Sequence, residues 1–287
     1  MSHVGARVAV EQTGRGEPLV LLHGIATDSR IWSTVVPELS RCRRVVCVDL
    51  PGFGRSEPVG DDFVLADVAE AVGDRLAECG VETPYDLVGH SLGGAVAIQF
   101  AAQFSAALRS LTLVAPAGLR PLPAAIAGVI ASGRAARLLA GSTDGFFAAR
   151  RRFAGLTDLA WGRRLLLGLA VADGAQVPPA VARSMIEASE AATRTGPALA
   201  TIVTTDLRPL LRHITAPVGV IWGEADRTVP ITGLEDLLGE RPDAEVIRLP
   251  GTGHLPMVER PADFVAALWQ LIERASADPH QCTPFIR

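Results

Sequence analysis

Ser91 stands in Gly89-His90-Ser91-Leu92-Gly93, a single serine between glycines, with an apolar run before it and an alanine-rich apolar run after it. A serine hydroxyl becomes a nucleophile only when a neighbouring base takes its proton, and that base is usually histidine. A strand ending at Val88 and a helix starting near Leu92 leave room only for a strained reversal. Gly89 and Gly93 remove the side chains that would collide there. The serine is then lifted to the carboxyl edge of a sheet at a helix N-terminus, where free N–H groups favour developing negative charge. With a strand before it and a helix after it, the G-x-S-x-G pattern reads as a turn that presents a nucleophile.

The partners must come from elsewhere in the chain. Of the six histidines, His3 and His280 sit in the termini. His90 is expected to point away from so tight a turn, and His213, just before a strand, reads as a surface residue. His23 lies in Leu22-His23-Gly24-Ile25 and reads as a structural loop residue. His254 remains, in Leu249-Pro250-Gly251-Thr252-Gly253-His254-Leu255-Pro256, a glycine-rich loop after the last predicted strand. A carboxylate should fix its tautomer and stabilise its cation. Asp226 follows another strand, in Gly223-Glu224-Ala225-Asp226, with Glu224 as its competitor. The chain order Ser91, Asp226, His254 is one that such triads use. An oxyanion also needs two backbone donors. Leu92, opening the helix, supplies one amide, and Ile25, on the loop that Gly24 lets approach closely, supplies the other.

These groups need a sheet to hold them on one edge. Continuous apolar runs predict strands at Pro18 to Leu22, Arg44 to Val48, Tyr85 to Val88, Leu111 to Val114, Val218 to Trp222 and Glu245 to Leu249, the signature of strands buried on both faces. Helical stretches alternate with them. Phe63 to Cys79 carries Val68, Val72 and Leu76 on one stripe, and Phe264 to Ile272 follows Pro261. The fold class is therefore α/β: a mostly parallel, doubly wound sheet. Leu119 to Arg212 shows no strand pattern and is too long for a crossover helix, so it reads as an inserted helical lid. The expected division is a core of 1–118 and 213–276, a lid of 119–212 and a loose tail of 277–287.

Composition excludes several function classes. The 287 residues carry 48% hydrophobic and 20% charged side chains and a net charge of −4, so no global field favours nucleic acid or an anionic membrane. Every basic residue is arginine; there is no lysine and no asparagine. Lysine Schiff-base chemistry, a Walker lysine and N-glycosylation are thereby absent, and the bias suggests a G+C-rich bacterial genome. The four cysteines, Cys42, Cys47, Cys79 and Cys282, show no zinc spacing and are expected to be free thiols. No signal-like N-terminus and no apolar run of about 18 residues appear. A cytoplasmic protein with no cofactor and no metal is expected; self-association is compatible with all of this.

The motifs together resemble the α/β-hydrolase family: His23-Gly24, Asp49-Leu50-Pro51-Gly52-Phe53-Gly54-Arg55-Ser56, Gly89-His90-Ser91-Leu92-Gly93-Gly94, Gly223-Glu224-Ala225-Asp226 and Gly253-His254. The resemblance runs from near residue 18 to 275 and matches Leu119–Arg212 to the family's variable lid. It implies a serine-nucleophile enzyme similar to small esterases, cofactor-free perhydrolases and carbon–carbon bond hydrolases. Dehalogenases and epoxide hydrolases of this fold carry an aspartate where Ser91 stands, and the only tyrosine, Tyr85, lies outside the lid.

Lid stretches Ile126 to Ile130, Phe146-Phe147 and Leu165 to Val171 are apolar, and together with Trp32, Val229 and Leu255 they are expected to contribute a hydrophobic pocket. The arginines at 134, 137, 150 to 152, 163 and 164 read as solvated faces. The expected substrate is a small-molecule hydrophobic ester or acyl compound, foremost a carboxylic ester or lactone with a bulky apolar acyl group, with no nucleic-acid or membrane partner. Carbon–carbon cleavage, acyl transfer or cyclisation by the same serine is the alternative, and a ligand-binding, receptor-like protein is the third reading. Fold alone does not choose among them.

Overall fold

The computed structural model describes residues 6–123, 126 and 152–275. Its seven strands are β1 (Val10–Thr13), β2 (Pro18–Leu22), β3 (Arg44–Val48), β4 (Tyr85–His90), β5 (Leu108–Val114), β6 (Val218–Gly223) and β7 (Glu245–Leu249). They lie in the order β1-β3-β2-β4-β5-β6-β7, and only β1 runs antiparallel to its neighbour. The predicted strand runs all form. β1 forms in addition to them; Val-Glu-Gln-Thr carries no apolar signal because it is mostly exposed on the sheet edge.

The described helices are α1 (Val36–Leu39), α2 (Leu65–Glu78), α3 (Leu92–Phe104), α4 (Ala160–Leu167), α5 (Pro179–Ala191), α6 (Thr195–Thr204), α7 (Arg208–Leu211), α8 (Gly233–Glu240), α9 (Pro256–Glu259) and α10 (Pro261–Ala275). Side chains alternate across the strands, so each sheet face has its own core. Val20, Leu22, Val46 and Val48 pack with Val68, Val72 and Leu76 of α2 and with α3 and α8. Leu19, Leu21, Val45 and Cys47 pack on the opposite face with Trp32, Leu39 and the Phe264, Leu268 and Ile272 stripe of α10. Both faces are covered, which is why the strands read as unbroken apolar runs.

Chain direction across the sheet reverses between β2 and β4. From β2 the chain crosses to β3 on one side, and from β3 it returns past β2 to β4 on the other. Their carboxyl ends are neighbours, with Leu22 opposite Gly89. A crevice outside such a switch point is where open α/β sheets place their ligands.

From the Ala154–Asp158 turn through α7, between β5 and β6, every described element is helical. The expected 277–287 tail lies outside the described residues, as do Phe146, Phe147, most of the Ile126–Ile130 stretch, and Arg134, Arg137, Arg150 and Arg151. Two expectations need correction. Arg163 is not on a solvated face: it is buried, donating to the carbonyls of Thr157 and Ala175. Helix α4 turns it inward, whereas Arg164 points out and pairs with Asp173. Cys47 and Cys79 are free, but Cys42 is disulfide-bonded, so the four cysteines are not all free thiols. A sufficient core makes a disulfide unnecessary without forbidding one.

Candidate active site

Ser91 sits at the β4–α3 junction with φ 53° and ψ −114°, in a region that costs a non-glycine residue on the order of 1–3 kcal/mol. The surroundings hold it there. Its N–H donates to the Val114 carbonyl at 3.0 Å, and its own carbonyl accepts from Ala95 and Ala117 at 3.1 and 3.0 Å. The flanking glycines are required by close approach. A Cβ at Gly93 would stand 2.4 Å from the Leu22 carbonyl oxygen, and one at Gly89 would stand 2.4 Å from that of Gly93.

His254 and Asp226 reach the same edge from the loops after β7 and β6. His254 Nδ1 lies 2.7 Å from Asp226 Oδ2, with both side chains buried. The other carboxylate oxygen, Oδ1, accepts the amides of Thr228 and Val229 at 2.8 and 2.9 Å. With Asp226 accepting, Nδ1 carries a proton and Nε2 is the ring nitrogen left for another partner. Glu224, the competing acid, is exposed.

Ser91 and His254 line one cavity of about 220 Å³. Ile25, Leu169, Ala170, Met185 and Leu255 give it apolar walls. Its threonine hydroxyls are already committed: Thr27 Oγ1 donates to the Gly24 carbonyl at 2.9 Å, and Thr228 Oγ1 to that of Leu169 at 2.7 Å. Leu92 opens α3 directly after Ser91, and Ile25 lines the cavity. Neither amide donates to an acceptor among the described residues.

Trp32 and Val229 fall elsewhere than expected. The short Ser29–Trp32 turn directs Trp32 inward, where it is fully buried against Phe264, ring centroids 6.1 Å apart. Val229 packs on the core, and its carbonyl accepts the Trp222 indole N–H at 3.0 Å. Of the expected pocket residues, Leu255 is on the cavity wall.

His23 and His90 are structural in geometry. His23 Nε2 accepts the Leu50 amide at 2.9 Å, so its Nδ1–H donates to the Gly24 carbonyl at 2.7 Å, tying the loops after β2 and β3 together. Burial holds its pKa below the ordinary histidine value despite the Gly24 bond and the nearby Asp49. His90 does not point away: its Nε2–H donates to the His254 carbonyl at 2.9 Å. Burial, and then the neighbouring His254, hold the His90 pKa well below ordinary. Its Nδ1 is buried without a partner beside Gly24, where a Cβ would stand 2.8 Å from it. Asp49 of the Asp-Leu-Pro-Gly motif is drawn upward by burial, yet amide bonds from Ser29 and Arg55 hold it below the ordinary carboxylate range.

The expected apolar stretch Leu165 to Val171 reaches the cavity wall through Leu169 and Ala170; sequence reasoning missed Met185 as a cavity residue and Glu259 altogether. Nothing in their spacing distinguishes them; each takes its place through tertiary packing. Among the described residues no group of three or more His, Cys, Asp or Glu could hold a metal ion, and no helix is long and apolar enough to cross a membrane.

A model of the alpha/beta hydrolase family matches residues 19–268. A pimeloyl-[acyl-carrier protein] methyl ester esterase of Nitrosomonas europaea is 30% identical over 270 residues, covering 91% of this chain and 98% of its own. A monoacylglycerol lipase of Xenopus laevis is 29% identical over 89% of this chain and 79% of its own. The solved structure of a thermophilic esterase from Thermogutta terrifontis superimposes with a TM-score of 0.72 at 23% identity, covering 94% of both chains.

Proposed function

The chain belongs to the alpha/beta hydrolase family and is a hydrolase, and we propose that it cleaves a carboxylic ester or lactone with an uncharged, apolar acyl group through a Ser91–His254–Asp226 triad. The observation that carries the reading is the 2.7 Å His254–Asp226 pair. It orients the ring of a histidine that shares its cavity with a serine held at φ 53°.

Chemistry follows from that arrangement. Ser91 Oγ attacks the acyl carbon while His254 Nε2 takes its proton. The carbonyl electrons move onto oxygen, where the Leu92 and Ile25 amides stabilise the charge. As the tetrahedral intermediate collapses, the C–O bond to the alcohol breaks and His254 gives its proton to that leaving oxygen. Water, activated by the same nitrogen, then releases the acid and restores Ser91. Asp226 stays ionised throughout and stabilises the imidazolium.

Substrate class is argued from the walls. Among the described residues the walls are apolar and carry no cation, and the threonine hydroxyls are already donating to backbone carbonyls. At about 220 Å³ the cavity is smaller than the roughly 300–1,000 Å³ of pockets for drug-sized ligands, which favours a compact acyl group. The ester relatives support ester cleavage over the other outcomes of an acyl-enzyme. A panel of p-nitrophenyl esters from acetate to palmitate tests this. The expected result is saturable turnover peaking at a short or medium chain, with Ser91→Ala slower by roughly 10⁴ to 10⁶. No turnover above Ser91→Ala on any ester or lactone would defeat it.

A further inference from the structure

Glu259 ends the short helix α9, five residues past the proposed base, and the mechanism above makes no use of it. Its carboxylate gathers main-chain amides from two separate parts of the chain. Oε2 accepts the Ala172 N–H at 2.8 Å and the Gly253 N–H at 3.0 Å, and Oε1 accepts the Leu255 N–H at 3.2 Å. Gly253 and Leu255 flank His254. Ala172 belongs to the segment after α4 whose Leu169 and Ala170 wall the cavity.

Other bonds join the same two pieces. The His254 N–H donates to the Ala170 carbonyl at 3.0 Å, and Thr228 Oγ1 donates to that of Leu169. Gly253 permits the contact: a Cβ there would stand 2.6 Å from the Ala172 nitrogen and 2.9 Å from Glu259 Oε1. On the opposite side, His90 holds the His254 carbonyl. His254 is therefore fixed by its backbone on both sides, and Glu259 binds both neighbours of that backbone together with the cavity wall. A carboxylate is the apt group, because it accepts only, and charge-assisted bonds to amides are about twice as strong as neutral ones.

We propose that Glu259 is a positioning residue, which locks the His254 loop onto the Leu169–Ala172 wall so that the base and the acyl pocket keep one geometry. The inference rests on His254 being the base. It predicts that loosening the lock costs turnover rather than substrate binding, because a displacement of about 1 Å at a catalytic group can cost on the order of a hundredfold.

The test compares Glu259→Ala and Glu259→Gln with the wild type, each also in a His254→Ala background. Ester kcat and KM, fluorophosphonate labelling rates and thermal midpoints are measured for each. Glutamine keeps one acceptor oxygen but turns an NH₂ toward an amide, so the expected order of activity is Glu, then Gln, then Ala. Glu259→Ala is expected to lower kcat and the labelling rate by about 10- to 100-fold, with KM within about twofold. In the His254→Ala background the same change should do almost nothing, since Glu259 acts through His254. An equal loss in both backgrounds, or a kcat within twofold of wild type for both variants, overturns the inference while leaving the esterase reading intact. A wild type that neither turns over esters nor labels overturns that reading, and this inference with it.

Discussion

His90 donates through Nε2–H to the backbone carbonyl of His254 at 2.9 Å, and the two rings lie 4.7 Å apart. The residue before the nucleophile thus holds the residue proposed as its base. Because the carbonyl can only accept, His90 keeps its proton on Nε2. Burial, reinforced by the second imidazole, disfavours a second proton.

Stability should therefore depend on pH. His23 and His90 both have folded pKa values below the ordinary 6.5, chiefly through burial. The unfolded chain takes up those protons first, so their contribution is whole above pH 6.5 and is lost as pH falls below it. Each group then removes up to about 1.4 kcal/mol per pH unit until its folded form also protonates. Urea midpoints at pH 7.5 and 5.5 should fall accordingly. His90→Gln, which keeps a donor for the His254 carbonyl, should fall by less.

Asp226→Asn keeps the shape but places an amide NH₂ where either His254 Nδ1–H or the Thr228 and Val229 amides require an acceptor. A loss of about 10³- to 10⁴-fold in kcat is expected from the misplaced tautomer. Glu224→Gln, at an exposed position, should stay within twofold. Equal losses from the two would place the acid wrongly.

The glycines separate by what surrounds them. Gly93→Ala sets a methyl against two backbone oxygens, those of Leu22 and His23, at 2.4 and 2.5 Å, and neither can yield without moving β2. Soluble yield and thermal midpoint should drop sharply. Gly239→Ala, in α8 with nothing within 4 Å, should instead gain roughly 0.5–1 kcal/mol from helix propensity.

Met185 walls the cavity from α5. Met185→Trp should shorten the preferred acyl chain, lowering the hexanoate-to-acetate ratio of kcat/KM by about tenfold or more, the scale of one methylene of lost apolar contact. An unchanged ratio would remove Met185 from the acyl site.

The core strands and the serine turn were legible because their signals are local. Leu19 to Leu22 and Val45 to Val48 are apolar on both faces, and Gly89 and Gly93 mark a reversal no larger residue permits. What the sequence hid depends on distant partners. β1 is polar because it is an edge, and Arg163 is buried because Thr157 and Ala175 turn carbonyls toward it. Trp32 enters the core rather than the cavity, as a tight turn ahead of α1 dictates. Glu259 resembles any helix-end glutamate until the loops it binds are seen together.

The central claim is that Ser91 is activated by His254 and Asp226. Intact mass after treatment with a fluorophosphonate tests it most directly, on wild type, Ser91→Ala, His254→Ala and Asp226→Asn. One adduct is expected on the wild type, none on Ser91→Ala, and labelling slowed by orders of magnitude on the other two. An adduct that survives Ser91→Ala, or a folded wild type that takes no adduct, would contradict it.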